Sequence, residues 1–243
     1  MELLNGDCLE LMKNIPDGSV DLILCDPPYG TTDCTWDEVL PFDKLWKEYN
    51  RILKPNGVAV LFAAQPFTTK LIASNRKAFR YCWYWLKDRT TGFTYARYQP
   101  MRKVEDVCVF YRKMPTYNPQ GLLEIKEPRT YKSKSGKGGE LWTLRPSKAE
   151  YTPRFKNYPK NVLEFKSERG YHPTQKPVPL LEYLVKTYTN EGDTVLDNCM
   201  GSGSTGVAVK KVGGRHFIGI EQDPKYYEIA KQRIQGEKEH ATN

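Results

Sequence analysis

The chain has 243 residues, 39% apolar and 27% charged, with a formal net charge of +8. That length holds one sizeable α/β core with room for an inserted lobe, and no run of about 18 apolar residues offers a membrane span. The opening MELLNGDCLE is acidic and too short of apolar length for a secretory signal, while six cysteines without a CxxC pair and three scattered histidines argue against a disulfide framework, zinc or any other metal site. We expect reduced thiols in a cytoplasmic protein.

In chain order, a short strand reaching Asn5 leads to a helix over 8–14. Strands follow over 19–25 and 57–63, where VDLILC and VAVLFAA read as parallel strands buried on both faces. Helices are predicted over 42–53 and 67–74, then strands over 81–86 and 104–111. After a long gap come a helix over 177–188, a strand over 194–197, a helix over 204–212, a strand over 216–221 and a helix over 224–235. Leu180, Leu181, Leu184 and Val185 give the 177–188 helix one apolar stripe, and Asp223-Pro224 reads as an N-cap with proline in the first turn. Alternating strands and helices predict an α/β sheet.

The gap breaks the pattern. Between positions 112 and 170 fourteen Lys and Arg face six acids, so this stretch carries the whole charge excess. From about 114 to 169 prolines punctuate the chain, and Tyr117, Tyr131, Trp142, Tyr151, Phe155 and Tyr158 alternate with cations. A connection this long is uncommon in a compact domain unless it has a function or is disordered. Basic charge concentrated in one segment suits a phosphate backbone, or only a solvated face.

Four short segments carry chemistry. Asp26-Pro27-Pro28-Tyr29 directly follows a strand; its prolines fix φ and remove two backbone donors while leaving the carbonyls as acceptors. An exocyclic base amine has two N–H donors and a delocalised lone pair. The Asp26 carboxylate and Pro27 carbonyl would take both hydrogens, turning the nitrogen toward tetrahedral geometry, with Tyr29 stacked on the base. A duplex base would have to leave the helix to reach such a pocket. Strand-to-turn punctuation is the plainer alternative. Second, Asp197-Asn-Cys-Met-Gly201-Ser-Gly203-Ser204-Thr-Gly206 follows a strand and opens a helix, with Glu221 ending the next strand. Its GxGxxG spacing fits an adenosine-type ligand, with Glu221 on the ribose, and does not by itself separate a methyl donor from a nicotinamide dinucleotide. Third, Asp7 in Asn5-Gly6-Asp7-Cys8 reads in isolation as an N-cap. Fourth, His172-Pro-Thr174-Gln175-Lys176-Pro177 leads into a helix; Thr174 and Lys176 suit a carboxylate.

Together these motifs resemble the amino-methyltransferases of DNA in the β group, whose motif order is permuted: catalytic turn first, recognition lobe next, cofactor loop last. The resemblance covers nearly the whole chain, including the 105–111 and 116–119 segments. It implies a Rossmann-like, mostly parallel sheet with one antiparallel strand near 104–111, and a division into a catalytic half (1–113), a target-recognition lobe (114–169) and a cofactor-binding half (170–243). The implied activity is transfer of methyl from S-adenosylmethionine to adenine N6 of double-stranded DNA by direct in-line attack. Asp at position 26 favours adenine, since the cytosine N4 enzymes of the family more often carry serine there; cytosine N4 is the alternative, and a nicotinamide oxidoreductase is a remote one. Implied roles place Asp26, Pro27, Pro28 and Tyr29 on the target amine, and Asp197, Gly201, Gly203 and Ser204 at the methionine end of the cofactor. Glu221 would hold its ribose, Asp7 and Cys8 its adenine, and Thr174, Gln175 and Lys176 its carboxylate. Arg129, Lys132, Lys134, Lys137, Arg145, Lys148 and Arg154 would touch DNA. A homodimer and a cognate restriction endonuclease are the implied protein partners, in a bacterial or phage-infected cell. Cys199 departs from the family loop, where an aromatic residue is frequent.

Overall fold

Eight strands form a single twisted sheet in a computed structural model that describes residues 1–30, 38–132, 150–168, 170–171 and 174–236. The chain runs β1 (Glu2–Asn5), α1 (Cys8–Leu11), β2 (Val20–Cys25), α2 (Phe42–Ile52), β3 (Leu53–Ala63), α3 (Phe67–Ser74), β4 (Phe79–Thr91) and β5 (Arg102–Tyr111). Four two-residue strands follow, β6 (Leu123–Glu124), β7 (Tyr131–Lys132), β8 (Glu150–Tyr151) and β9 (Phe155–Lys156). The last part is β10 (Val162–Glu164), α4 (Val178–Tyr188), β11 (Thr194–Asp197), α5 (Ser204–Val212), β12 (His216–Glu221) and α6 (Pro224–Gln235).

The sheet order is β1-β12-β11-β2-β3-β5-β4-β10. Strand β5 runs antiparallel to both its neighbours and every other pairing is parallel, as expected. Period-two alternation sends successive side chains to opposite faces. Leu22 and Leu24 of β2, Val58 and Val60 of β3 and Val107 and Val109 of β5 pack with Leu180, Leu181, Leu184 and Val185 of α4. Ile23, Cys25, Ala59, Leu61 and Cys108 pack on the other face with Leu45, Trp46, Tyr49 and Ile52 of α2. The two core layers thus come from the same strands. Each fully buried Leu, Val or Phe contributes about 1.5–3 kcal/mol.

Two expectations are corrected. Helix α1 is shorter than predicted, giving way at Met12–Asn14 to a 3-10 turn. The middle of the chain is not without regular structure: β6 pairs with β9, β7 with β8, and β10 joins the main sheet beside β4. The described chain divides into two compact units, 1–118 with 161–243, and 119–160. Among the described residues no helix is long and apolar enough to cross a membrane.

Two glycines of the 201–206 loop are closely packed. A Cβ at Gly206 would collide with Ile234 and Phe217, and one at Gly203, where φ is +78°, with Ala230 of α6. We expect Gly206→Ala to cost roughly 1–3 kcal/mol by overpacking and to lower the thermal midpoint by ~5 °C. A melting curve superimposable on that of the parent chain would mean that α5 and α6 have slack at this contact.

Candidate active site

Parallel strands carry their carboxyl ends to one edge of the sheet, and the loops that leave β1, β2, β11 and β12 meet there. They line one cavity of about 920 Å³ that contains Asp7, Cys8, Asp26, Pro27, Pro28, Tyr29, Thr174, Gln175, Lys176, Asp197, Gly201, Ser204 and Glu221. The structure therefore brings together every residue expected at the catalytic turn and the cofactor loop except Gly203, which is turned against α6. Of the expected DNA contacts, Lys134, Lys137, Arg145 and Lys148 lie outside the described residues and Lys132 is described only as backbone in β7. Arg129 is exposed; Arg154 pairs with Glu124 at 3.3 Å and lies 5.2 Å over Phe155.

The glycine turn is built around Glu221. One carboxylate oxygen accepts from the Gly201 N–H at 2.8 Å and the other from the Asp223 N–H at 2.9 Å. The Glu221 backbone carbonyl takes the Gly6 N–H at 3.0 Å and the Asn5 amide at 2.8 Å, tying the β1 loop to the same point. Burial raises the Glu221 carboxyl above its usual range. Asp197 is more strongly affected: burial pushes it up to about 7 against hydrogen bonds from Thr205 and the Cys199 N–H. Asp7 does cap α1, accepting from the Leu9 and Glu10 N–H groups at 2.7 and 3.2 Å, and it faces the cavity as well.

Cys199 meets Cys8 and Cys25, each of which shares a hydrogen bond with it. Burial pushes the Cys25 thiol up to about 12. Three small sulfur side chains fill the space beneath the loop, which accounts for a cysteine at a position where the resembled family often has an aromatic ring.

At the Asp26 turn, Tyr29 donates its hydroxyl to Asp26 Oδ1 at 2.6 Å and stacks on Phe67 with ring centroids 5.0 Å apart. The Asp26 Oδ2 pairs with Lys176 Nζ. Lys176 is also 3.6 Å from Glu105, and Glu105 is paired with Lys87 at 2.9 Å. Burial alone would lower the Lys176 pKa, but Asp26 and Glu105 outweigh it, so the ammonium is held above its usual value. Glu105 shows the converse: burial pushes its carboxyl up, and Lys176 and Lys87 bring it below normal. Lys176 was expected to meet a ligand carboxylate; its carboxylate partners here are Asp26 and Glu105.

Sequence reasoning missed four supports. Lys87 carries no motif, Glu105 opens the 105–111 segment of the resemblance without having been given a role, and both meet Lys176 only through the fold. Arg233 holds the glycine loop by donating to Ser202 at its carbonyl (2.5 Å) and its hydroxyl (2.8 Å). Tyr49 donates to Asn198 Oδ1 at 2.6 Å from α2. Only their apolar or helical context was visible beforehand.

A mostly parallel sheet with ligand-facing loops at its carboxyl edge and a carboxylate-bearing proline turn defines a Rossmann-like enzyme scaffold. The chain has this fold in common with a crystal structure of the M1.HpyAVI–SAM complex (TM-score 0.65, 24% identity, covering 96% of this chain and 98% of that one) and with PvuII DNA methyltransferase, described as cytosine-N4-specific (TM-score 0.69, 18% identity, 96% and 85%). Residues 20–232 match the DNA methylase model of the N6/N4 methyltransferases. The chain is 30% identical over 256 residues to type II methyltransferase M.HpaI of Haemophilus parainfluenzae, covering 97% of this chain and 74% of the relative. The chain belongs to the N6/N4 DNA methylase family.

Proposed function

We propose that this DNA methyltransferase transfers a methyl group from S-adenosylmethionine to the N6 amino group of adenine in double-stranded DNA. The observation that carries the reading is that the Asp26 turn and the Gly201–Glu221 turn line one cavity. The lining fits a nucleoside with a cationic centre: Glu221 presents a carboxylate to ribose hydroxyls, and Asp197 a second one deeper in the loop. Asp7, Cys8, Gly201 and Ser204 complete the cofactor end. When bound, the cofactor supplies an electrophilic methyl group.

The chain's own residues position and polarise the amine. Asp26 has lone pairs left on both carboxylate oxygens after its bonds to Tyr29 and Lys176, and the Pro27 carbonyl is a neighbouring acceptor. Two acceptors on two amine hydrogens localise the nitrogen lone pair. Tyr29, braced by Phe67, offers a face to the extruded base. Catalysis rests on placement and on charges fixed before reaction. The 119–160 unit, with Arg129, Lys132 and Arg154, serves as the recognition lobe, and a restriction endonuclease and a second copy of the chain are its proposed protein partners.

Nucleoside analysis of plasmid DNA treated with the enzyme tests the base: N6-methyladenine is expected, and N4-methylcytosine alone overturns the adenine assignment. Cofactor binding should depend on pH. A folded-state Asp197 near 7 is raised above its unfolded value, so ionising it costs native stability as pH rises, and a cationic ligand recovers that cost. Calorimetry should show S-adenosylmethionine binding up to ~10-fold tighter at about pH 8 than at about pH 6, and less dependence in Asp197→Asn. Equal affinities across that range would mean Asp197 does not face the cationic centre.

A further inference from the structure

Among the described residues, the connection between β4 and β5 exposes the most accessible aromatic side chains of the larger unit. Phe93, Tyr95 and Tyr98 are 80%, 60% and 86% exposed within six residues. The tip is not a loose loop: Gly92, at φ +89°, opens a 3-10 turn, and the N–H groups of Tyr95, Ala96, Tyr98 and Gln99 all bond to carbonyls within the tip. An ordered turn that turns three rings into water forgoes their burial, which signals a partner surface. Arg89, Arg97, Arg102 and Lys103 are exposed on the same hairpin, and from position 88 to 103 the sole acid is Asp88. Arg89, Thr91 and Arg102 line the cavity that holds Asp26, so the hairpin stands at its rim.

Removing a base from a duplex bares the faces of its neighbours and the flanking phosphates beside the mouth of the receiving pocket. Rings with interspersed arginine and lysine suit both: stacking is worth roughly 1–3 kcal/mol per base, and cations displace counterions from phosphates. We propose that the 93–103 segment is a DNA-contact element that stacks Phe93, Tyr95 and Tyr98 on bases adjoining the extruded one and sets Arg97 and Lys103 on the flanking backbone. This rests on the base-extruding methyltransferase reading and places a DNA contact outside the basic middle of the chain.

Two full-length variants test it, F93S/Y95S/Y98S and R97Q/K103Q, all exposed sites, with folding checked by thermal melting. Binding of S-adenosylmethionine should be unchanged in both. The aromatic variant should bind a short fluorescent duplex at least ~10-fold more weakly and show a raised KM for plasmid DNA. The R97Q/K103Q variant should lower the slope of log affinity against log salt by about 2. Wild-type methyl transfer with both variants within about twofold of wild type in duplex affinity and KM overturns the hairpin assignment and leaves the methyltransferase reading standing. A wild-type chain that binds duplex but transfers no methyl group tells against the reaction, and the variants' duplex affinities then decide the hairpin alone. A dimer that becomes a monomer in F93S/Y95S/Y98S with duplex affinity intact makes the tip an interface between copies and overturns the proposal.

Discussion

Replacing Asp26 with Asn should reduce kcat by ~10³-fold or more while leaving the affinity for S-adenosylmethionine within a few-fold of wild type. The amide keeps the volume and one acceptor oxygen, but it loses the charge that opposes Lys176 and turns an NH2 donor toward either Lys176 or the incoming amine. A group acting only when the amine becomes a nucleophile affects kcat and kcat/KM together, and losing one such preorganised contact costs about 10²–10³. The added donor-to-donor clash accounts for the rest. Single-turnover methylation of plasmid DNA beside calorimetric titration of the cofactor separates the two quantities, and an Asn variant turning over at near wild-type rate would remove Asp26 from the chemistry.

The second large effect is expected at Lys176. Its ammonium is buried and joins Asp26 to Glu105. Lys176→Met keeps the length of the chain but takes from Asp26 the cation it is paired with and leaves Glu105 with Lys87. Breaking a buried pair from one side costs roughly 3–5 kcal/mol, so denaturant midpoints should fall markedly. The remaining folded enzyme should lose about 10²-fold in kcat as Asp26 drifts from its place. The pair is not additive: once Lys176 is Met, Asp26→Asn should cost far less in stability than in the wild type. Additive losses across the four members of that double-mutant cycle would show that the two side chains act independently.

How much of this was legible beforehand depends on the range of the forces involved. The proline turn and the glycine loop announce themselves because their chemistry is local: four to ten consecutive residues fix a backbone and present a carboxylate. The strands β2 and β3 were equally legible, since burial on both faces writes the continuous apolar runs VDLILC and VAVLFAA. The Lys87–Glu105–Lys176–Asp26 row was not, because its members are 18 to 150 positions apart and only the pairing of β4 with β5 and the path of 174–177 bring them together. Spacing pointed to an adenosine-type ligand, and the structure adds that at 203 and 206 the space for a side chain is taken by α6 and by Phe217 of β12. Short strand pairs in the middle were hidden because two-residue ladders leave no periodicity to detect.

The strand order has a consequence for how two ligands of opposite charge share one enclosure. Asp7, Asp197, Glu221 and Asp223 enter it from the β1-β12-β11 side of the sheet, and Lys87, Arg89 and Arg102 from the β5-β4 side together with Glu105 and Glu168, with Asp26 directly after β2 between them. The lining thus carries only acids on the first flank, and both arginines of the cavity on the second, where the charge is mixed. Long-range fields favour a sulfonium donor on the acidic flank and a polyanion beside the arginines, and the strand that leads into Asp26 lies between the two.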